Sequence, residues 1–373
     1  GSLREAGDLI RHCLLAAIAL PCLLGAAETP RPSVRALPLA LATAEEGSQF
    51  LRADKQGRVF LLASRTLDVL PVSTKGVGGA VARLEPRSPL GEVRSAAMGS
   101  THDRWLLLAD DGLHLFVNGE EQQVPRPAWW PLSVAMLDDV PLVAVQPGMM
   151  IGRPPIDFRP PAQPPWLLQL VGDRWESVIA GKWDDVKGEN ASETTTAFAV
   201  HVAPSSNSTF WLARRYAYQV RRYSSAGRLR EQLVLGEGKS ADLPQEAIAA
   251  TTRRAADAAQ HRRQGSEPGV PASTTFLPMR SATAIKAVTE GRDGKLYVLA
   301  KVQDGLALDV FDGVTKQMRR VPLPFRYSGV ISMAAGKDGL FFAAYQASAG
   351  QWMVRWETLD EADWEPVKDL RVH

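Results

Sequence analysis

Cysteine is almost absent from this chain. Only Cys13 and Cys22 occur among 373 residues, and both lie within the first thirty. In that segment Arg4 and Arg11 precede an apolar stretch that ends in small residues, so we predict that residues 1–27 are a signal peptide. The alternative, a buried N-terminal helix, stays open. If the segment is removed, the mature protein has no disulfide, no thiol catalysis and no cysteine-bound metal, and we expect it to be exported to the periplasm or the extracellular space.

Motifs of catalysis are equally scarce. The six histidines show no pairing at zinc-ligand spacing, and there is no Gly-x-Ser-x-Gly elbow, glycine-rich phosphate loop or Cys–His pair. Lys and Arg number 43 against 41 Asp and Glu, a balance that gives no support to nucleic acid as a partner. The apolar stretch near the start is too short for a comfortable membrane span. We therefore predict no cofactor, no metal, no nucleic-acid partner and no membrane span in the mature chain.

A repeated unit of four apolar strands is what the sequence has in abundance. In its clearest copy the first strand, Ile285–Val288, is followed by the turn Asp293-Gly294, and the remaining strands are Leu296–Ala300, Leu306–Phe311 and Met318–Leu323. An Asp-Gly pair between two apolar runs is a strong hairpin signal, because glycine adopts positive φ at little cost. The unit is therefore typical of an antiparallel sheet built from consecutive hairpins.

Six copies of this unit follow one another at roughly 40-residue spacing, apart from insertions in the middle copies, and this spacing matches the period of a propeller blade. Their first strands begin at Phe50, Val93, Val134, Phe198, Ile285 and Val330. We predict an all-β fold, a β-propeller of about six four-stranded blades over residues 50–373. A β-sandwich, several small β-domains and a seventh blade are the alternatives.

Both ends of the chain bear on closure of the ring. Within the N-terminal segment 28–49, Val34–Leu41 is the candidate to pair with the last blade and close the ring. Trp364–Val367 is the expected fourth strand of that blade. Closure would remove two free sheet edges.

Three short motifs resemble those of bacterial six-bladed NHL-like propellers. They are the Asp293-Gly294 turn followed by Leu296–Leu299, the triplet Val310–Asp312, and the segment Tyr223–Arg228. The resemblance covers most of the repeat region, and no Gly-His…Trp-Asp signature of the WD40 type accompanies it. The resemblance implies binding of a ligand or a protein more often than catalysis.

The longest departures from the minimal repeat fall on one predicted face of the propeller. They are the proline-rich segment 146–165, the joint 181–196 and the joint 236–284, and the short joint 127–131 falls there too. Within 236–284, an alanine-rich stretch without glycine predicts a helical insertion between blades four and five. Insertions gathered on one face indicate a binding surface.

The residues predicted to bind are the tryptophans of this face and the arginines of the helical insertion. They are Trp129, Trp130, Trp166, Trp183, Arg253, Arg254, Arg262 and Arg263. Exposed Trp and Arg are enriched among binding hot spots. The alternatives are that the Trp side chains pack the loops onto the blades and that the Arg side chains form a solvated helix face. We predict a non-catalytic binding or scaffold protein that engages a protein, a peptide or a glycan.

Two other functions stay open. A metal-dependent lactonase or hydrolase of the propeller type would need Glu, Asn and Asp to meet around a divalent ion in the central channel. The predicted inner strands offer Ala, Val, Met, Ser, Lys and Arg52 instead. An accessory subunit of an exported complex, docked through the helical insertion, is the third possibility.

The pair Asp138-Asp139 is predicted to form a hairpin turn, where Asp is common.

Overall fold

The fold was analysed in a computed structural model of the chain. It describes residues 33–37, 47–151, 165–180, 200–205, 208–214, 219–234, 285–302, 305–323, 331–346, 351–358, 365–366 and 370–372. Every regular element in these ranges is a β-strand. The predicted signal peptide and the predicted helical insertion lie outside the described residues.

The strands pair into six antiparallel sheets, which we number I to VI along the chain. The first strand, β1 (Ser33–Leu37), belongs to sheet VI. Sheet I contains β2 (Gln49–Ala53), β3 (Val59–Ala63), β4 (Asp68–Ser73), β5 (Gly76–Val77) and β6 (Ala82–Arg83). Sheet II contains β7 (Val93–Met98), β8 (Arg104–Ala109), β9 (Gly112–Val117) and β10 (Glu120–Gln122). Sheet III contains β11 (Trp129–Leu137), β12 (Val140–Met150), β13 (Pro165–Val171) and β14 (Arg174–Ala180).

Sheets IV, V and VI each contain one strand from near an end of the described chain. Sheet IV contains β15 (Val200–Ser205), β16 (Thr209–Arg214), β17 (Gln219–Ser224), β18 (Leu229–Val234) and the late strand β27 (Leu370–Val372). Sheet V contains β19 (Ile285–Glu290), β20 (Lys295–Val302), β21 (Gly305–Asp312), β22 (Gln317–Pro322) and β26 (Glu365–Pro366). Sheet VI contains β23 (Ile331–Gly336), β24 (Gly339–Gln346), β25 (Gln351–Thr358) and β1.

The first strands of the six sheets form a closed ring. Strands β2, β7, β11, β15, β19 and β23 contact one another in this order, and β23 contacts β2 again. All six run in the same direction, since each leads into the hairpin of its own sheet. This arrangement is a β-propeller, and the predicted all-β propeller is confirmed.

The core is divided among the interfaces between neighbouring sheets. Six clusters of buried apolar side chains each join two adjacent sheets, including sheets VI and I. Strand β3 shows how: Leu61 packs against sheet VI and Leu62 against sheet II. Successive side chains of a strand point to opposite faces, so a sheet buried on both faces needs an uninterrupted apolar strand. This requirement explains why uninterrupted apolar runs recur along the sequence.

The expected outer strand of the last sheet was assigned wrongly. The five residues of β1 pair with β25 at the outer edge of sheet VI. Of the predicted strand, the described residues Glu365–Pro366 form β26, which pairs instead with β22 of sheet V, and β27 pairs with β18 of sheet IV. Both ends of the chain thus cover outer edges, which would otherwise expose unpaired backbone groups. Edge pairing of this kind needs backbone groups and no particular side chain, so the sequence pattern does not specify it.

Three hairpins use the same turn: β2–β3 in sheet I, β17–β18 in sheet IV and β19–β20 in sheet V. The N–H of Gly57, Gly227 and Gly294 each donates to the carbonyl three residues earlier at 2.9 Å. These glycines have φ of +74°, +74° and +75°. A turn of this form ends in a left-handed residue, which glycine adopts without steric cost. In the first turn the Asp54 carboxylate also accepts from the N–H groups of Gln56 and Arg58.

Candidate functional site

The ring of inner strands encloses a central cavity of about 890 Å³. Residues of all six inner strands line it, together with residues of the turns that follow them. We call the end with these turns the hairpin end and the opposite end, where the inner strands begin, the loop end. Cavities of 300–1,000 Å³ are typical of ligand sites. The cavity is therefore the candidate functional site within the described ranges.

Polar groups reach the cavity from positions that depart from regular strand pairing. Arg94 lies at a register shift in β7, and Lys286 lies at one in β19. Bulges of this kind redirect a side chain out of the regular alternation. Both side chains line the cavity, as does His201 of β15. The cavity lining contains five Lys or Arg residues and three Asp or Glu residues.

Serine side chains join neighbouring inner strands across the ring. The Leu51 N–H donates to Ser332 Oγ of β23 at 2.8 Å, and the Val134 N–H donates to Ser95 Oγ of β7 at 3.2 Å. Ser133 Oγ of β11 donates to the carbonyl of Val200 at 3.1 Å. Each inner strand has a backbone edge that no strand of its own sheet pairs, and buried backbone groups must find partners. These serines supply them and fix the spacing of the ring.

Arg52 spans three inner strands at the wall of the cavity. Its Nη1 donates to the carbonyl of Leu51 at 2.6 Å and to Ser332 Oγ at 3.2 Å, and its Nη2 donates to the carbonyl of Ala96. The side chain is partly buried, and burial lowers the pKa of Arg52 from 12.5 to about 10. All three acceptors are neutral. Among the described residues, no carboxylate forms an ion pair with Arg52.

The hairpin end of the cavity is bound together by contacts between turns. Asp138 Oδ1 accepts from Lys55 Nζ of sheet I at 2.8 Å, and its Oδ2 accepts from Ser208 Oγ of sheet IV at 2.7 Å. These two hydrogen bonds hold the pKa of the Asp138 carboxyl below its usual value. Asp139 accepts from the Ser100 N–H of sheet II at 2.6 Å. One two-residue turn thus joins four sheets at this end.

That turn is the one predicted from Asp138-Asp139. The two residues link β11 to β12 with φ of 47° and 65°. Two left-handed central residues define the type of hairpin turn that matches strand twist, and Asp tolerates this conformation better than most residues. The turn orients both carboxylates toward neighbouring sheets, which the sequence pattern alone did not reveal.

The predicted tryptophans lie in different environments. Trp129 and Trp130 begin β11 at the loop end, where Trp129 packs partly buried against the cluster between sheets II and III. Trp130 is 37% exposed. Trp166 is only 4% exposed and packs in the cluster between sheets III and IV. The expectation that Trp166 lies on the binding surface therefore needs correction, because its position in β13 directs the ring into the core.

The other predicted binding residues are outside the described residues. They are Trp183, Arg253, Arg254, Arg262 and Arg263. The structure therefore brings together only Trp129 and Trp130 from the predicted surface. Sequence reasoning placed Arg52 on an inner strand without assigning it a role, and it did not identify Lys55. A charged residue on a predicted inner strand, which faces the central channel of a propeller, is the sequence signal that could have identified Arg52.

Two kinds of functional feature are absent from the described residues. No group of three or more His, Cys, Asp or Glu side chains in these ranges is arranged to hold a metal ion. Within the same ranges, no helix has the length and apolar character needed to cross a membrane.

Comparison with known proteins supports the fold. No protein-family model matches the chain, and no curated protein matches it in sequence. Among solved structures, a DUF4221 family member from Bacteroides vulgatus is similar with a TM-score of 0.53 and 12% identity, over 88% of this chain and 97% of that one. A gluconolactonase from Xanthomonas campestris has a TM-score of 0.44 and 10% identity, over 88% and 90% of the two chains. A streptogramin B lyase has a TM-score of 0.44 and 9% identity, over 88% and 98%. At these identities the first similarity shows a shared propeller fold, and the resemblance to NHL-like propellers stays a prediction.

Proposed function

We propose that this protein is a non-catalytic, exported binding propeller that engages a protein, peptide or glycan at the loop end of its central cavity. Export rests on the predicted signal peptide in residues 1–27. The six-blade count belongs to the same proposal, because six inner strands form the ring and each sheet is taken as one blade.

The observation that carries the proposal is the cavity itself. Its volume of about 890 Å³ lies within the range of ligand sites, and its wall combines apolar side chains with many polar and charged ones. Trp130 adds an exposed aromatic ring on an inner strand that continues into this wall. Trp and Arg side chains account for much of the binding energy of typical interfaces. Trp183 and the arginines at 253, 254, 262 and 263 remain proposed contributors to the same surface.

A binding screen followed by calorimetry tests the proposal. The purified chain is screened against a phage-displayed peptide library and a glycan array, and the tightest member is titrated against the wild type and Trp130→Ala. We expect Trp130→Ala to weaken binding by about tenfold or more, since truncation of an aromatic hot-spot residue commonly costs at least about 1–2 kcal/mol.

Val314→Ala is the matched control. Val314 is 86% exposed in the turn between β21 and β22, on the hairpin side of the propeller. Its truncation removes an exposed apolar group away from the proposed surface, so affinity should stay within about twofold of the wild type. The proposal fails if neither screen yields a saturable ligand, or if the two variants weaken binding equally.

A further inference from the structure

We propose that Arg52 binds one carboxylate group of the ligand inside the central cavity. The inference deepens the proposed function, on which it rests, by naming the chemistry that the cavity recognises.

The donor inventory of Arg52 leaves two positions for a ligand. A guanidinium has five N–H donors. Nη1 donates to the Leu51 carbonyl and to Ser332 Oγ, and Nη2 donates once, to the Ala96 carbonyl. Among the described residues, no acceptor takes the Nε–H or the second Nη2–H. These donors sit on neighbouring nitrogens, the arrangement that one carboxylate spans with its two oxygens.

Charge also favours an anion at this position. Arg52 is partly desolvated, and its three partners are neutral oxygen atoms. A buried cation without a counter-charge is unfavourable, and a bound anion would supply one. The acidic residues of the cavity already have other donors: Asp54 pairs with Arg58, Asp138 pairs with Lys55, and Glu290 accepts from the Trp211 indole. They do not neutralise Arg52.

A carboxylate fits this site better than a phosphate. The site offers two free donors and one uncompensated positive charge, which match the two oxygens and single charge of a carboxylate. A phosphate group carries more negative charge and more acceptor oxygens than this side chain can satisfy.

Arg52 is held in position by the ring rather than by a flexible loop. Its partners lie on β23, β2 and β7, so three adjacent inner strands fix the guanidinium plane. Ser332 serves twice, because it also accepts from the Leu51 N–H. A positioned guanidinium loses little freedom when it binds, which is the basis of preorganised recognition.

The test uses two carboxylate probes that represent the two sources of such a group. N-acetyl-alanyl-alanine presents a peptide chain end and glucuronate presents an acidic sugar, while N-acetyl-alanyl-alanine amide is the uncharged control. Each probe is titrated into the full, ¹⁵N-labelled protein, and the Arg52 Nε–H resonance is followed by NMR. We expect a saturable shift of that resonance with at least one carboxylate probe and none with the amide.

Two variants and one control complete the experiment. Arg52→Met should weaken binding of the responsive probe by about tenfold or more, whereas Arg83→Met, which removes an exposed Arg from the outer edge of sheet I, should change it by less than about twofold. Arg52→Lys keeps the charge but loses the paired donors, so its affinity should lie between the two. If Arg52→Met does not fold, the shift of the wild-type Arg52 resonance and the affinity of Arg52→Lys for the probe still test the proposal.

The outcomes separate this inference from the proposed function. Absence of a saturable shift with both carboxylates, or an equal response to the amide, would overturn the Arg52 site and leave a ligand at Trp130 untouched. Binding of a carboxylate at Arg52 in a protein for which neither screen finds a ligand would support the site and count against the larger binding role. The probe that binds more tightly identifies the source of the carboxylate.

Discussion

Three glycines in turns of the same conformation allow a test of how tightly neighbouring sheets are packed. Gly57, Gly227 and Gly294 have φ within one degree of each other, and their turns share the same hydrogen bond. They differ in what an added methyl group would meet. At Gly294 the added Cβ has nothing within 4 Å, whereas at Gly227 it would lie 2.0 Å from the carbonyl oxygen of Val178. Gly57 is intermediate, with the Lys337 N atom at 3.0 Å.

The expected loss in free energy of unfolding has two parts, backbone strain at the substituted residue and steric contact with the neighbouring sheet. Gly294→Ala forces an L-residue into the left-handed region and should reduce the free energy of unfolding by about 1–2 kcal/mol. Gly227→Ala carries the same strain and must also displace the Val178 carbonyl of sheet III. Overpacking of a tight site typically adds about 1–3 kcal/mol. Gly57→Ala should fall between the two variants, since its nearest neighbour needs to move only by tenths of an ångström.

Urea unfolding of the three variants, followed by far-ultraviolet circular dichroism, measures these differences. The wild type and the variants should share one denaturant slope if the transitions stay comparable. The expected order of lost stability is Gly227→Ala, then Gly57→Ala, then Gly294→Ala. Equal losses at all three positions would mean that φ alone sets the cost and that sheets III and IV are not in close contact at this turn. A larger loss for Gly294→Ala than for Gly227→Ala would refute the reasoning.

Two further predictions concern ion pairs that join sheets. The hydrogen bonds from Lys55 and Ser208 depress the pKa of Asp138, so its contribution to stability is present above the ordinary value of 3.8 and is lost as pH falls through the lower pKa of the folded state. Asp138→Asn, which keeps the side-chain shape, should therefore lower the thermal midpoint at pH 7 and match the wild type at pH 2 to 3. A difference in thermal midpoint that persists unchanged in acid would contradict this pH dependence. Glu231 of sheet IV is buried between Arg222 and Lys316, and Lys316 reaches it from sheet V. Glu231→Gln should lower the free energy of unfolding, measured in urea, by about 1–3 kcal/mol. An unchanged free energy of unfolding would mean that the cost of desolvating the carboxylate offsets both ion pairs.

The strands could be predicted because burial on both faces leaves a strong sequence signal. Strand β7 was predicted with the bounds that the structure shows, Val93–Met98. Its neighbours in the ring were also predicted as apolar runs, because each contributes to two interfaces. Outer strands carry no such signal. Strand β26 has two residues and pairs through its backbone, so no side-chain pattern could have assigned it to sheet V.

The predicted surface residues were harder to place than the strands. Trp129, Trp130 and Trp166 have the same side chain, yet one is exposed, one is partly buried and one lies in the core. Which of two adjacent residues points outward depends on register, and a slip of one residue reverses the answer. In β11 the register shifts twice between Trp129 and Ser133. Periodicity therefore predicted the strand but not the direction of its first side chains.

The case of Arg52 shows why the candidate site depends on ring closure. The sequence places Arg52 on an inner strand, but its partner Ser332 is 280 residues away and becomes a neighbour only when sheet VI meets sheet I. Ala96, its other partner across the ring, belongs to the next sheet along the chain. A single sheet would leave the guanidinium in water, where its charge is well solvated and has little preference for one anion. Closure of the ring places the same side chain at the wall of the central cavity, where two of its donors have no acceptor among the described residues. The affinity that we propose for a carboxylate is therefore a property of the assembled ring rather than of the local sequence.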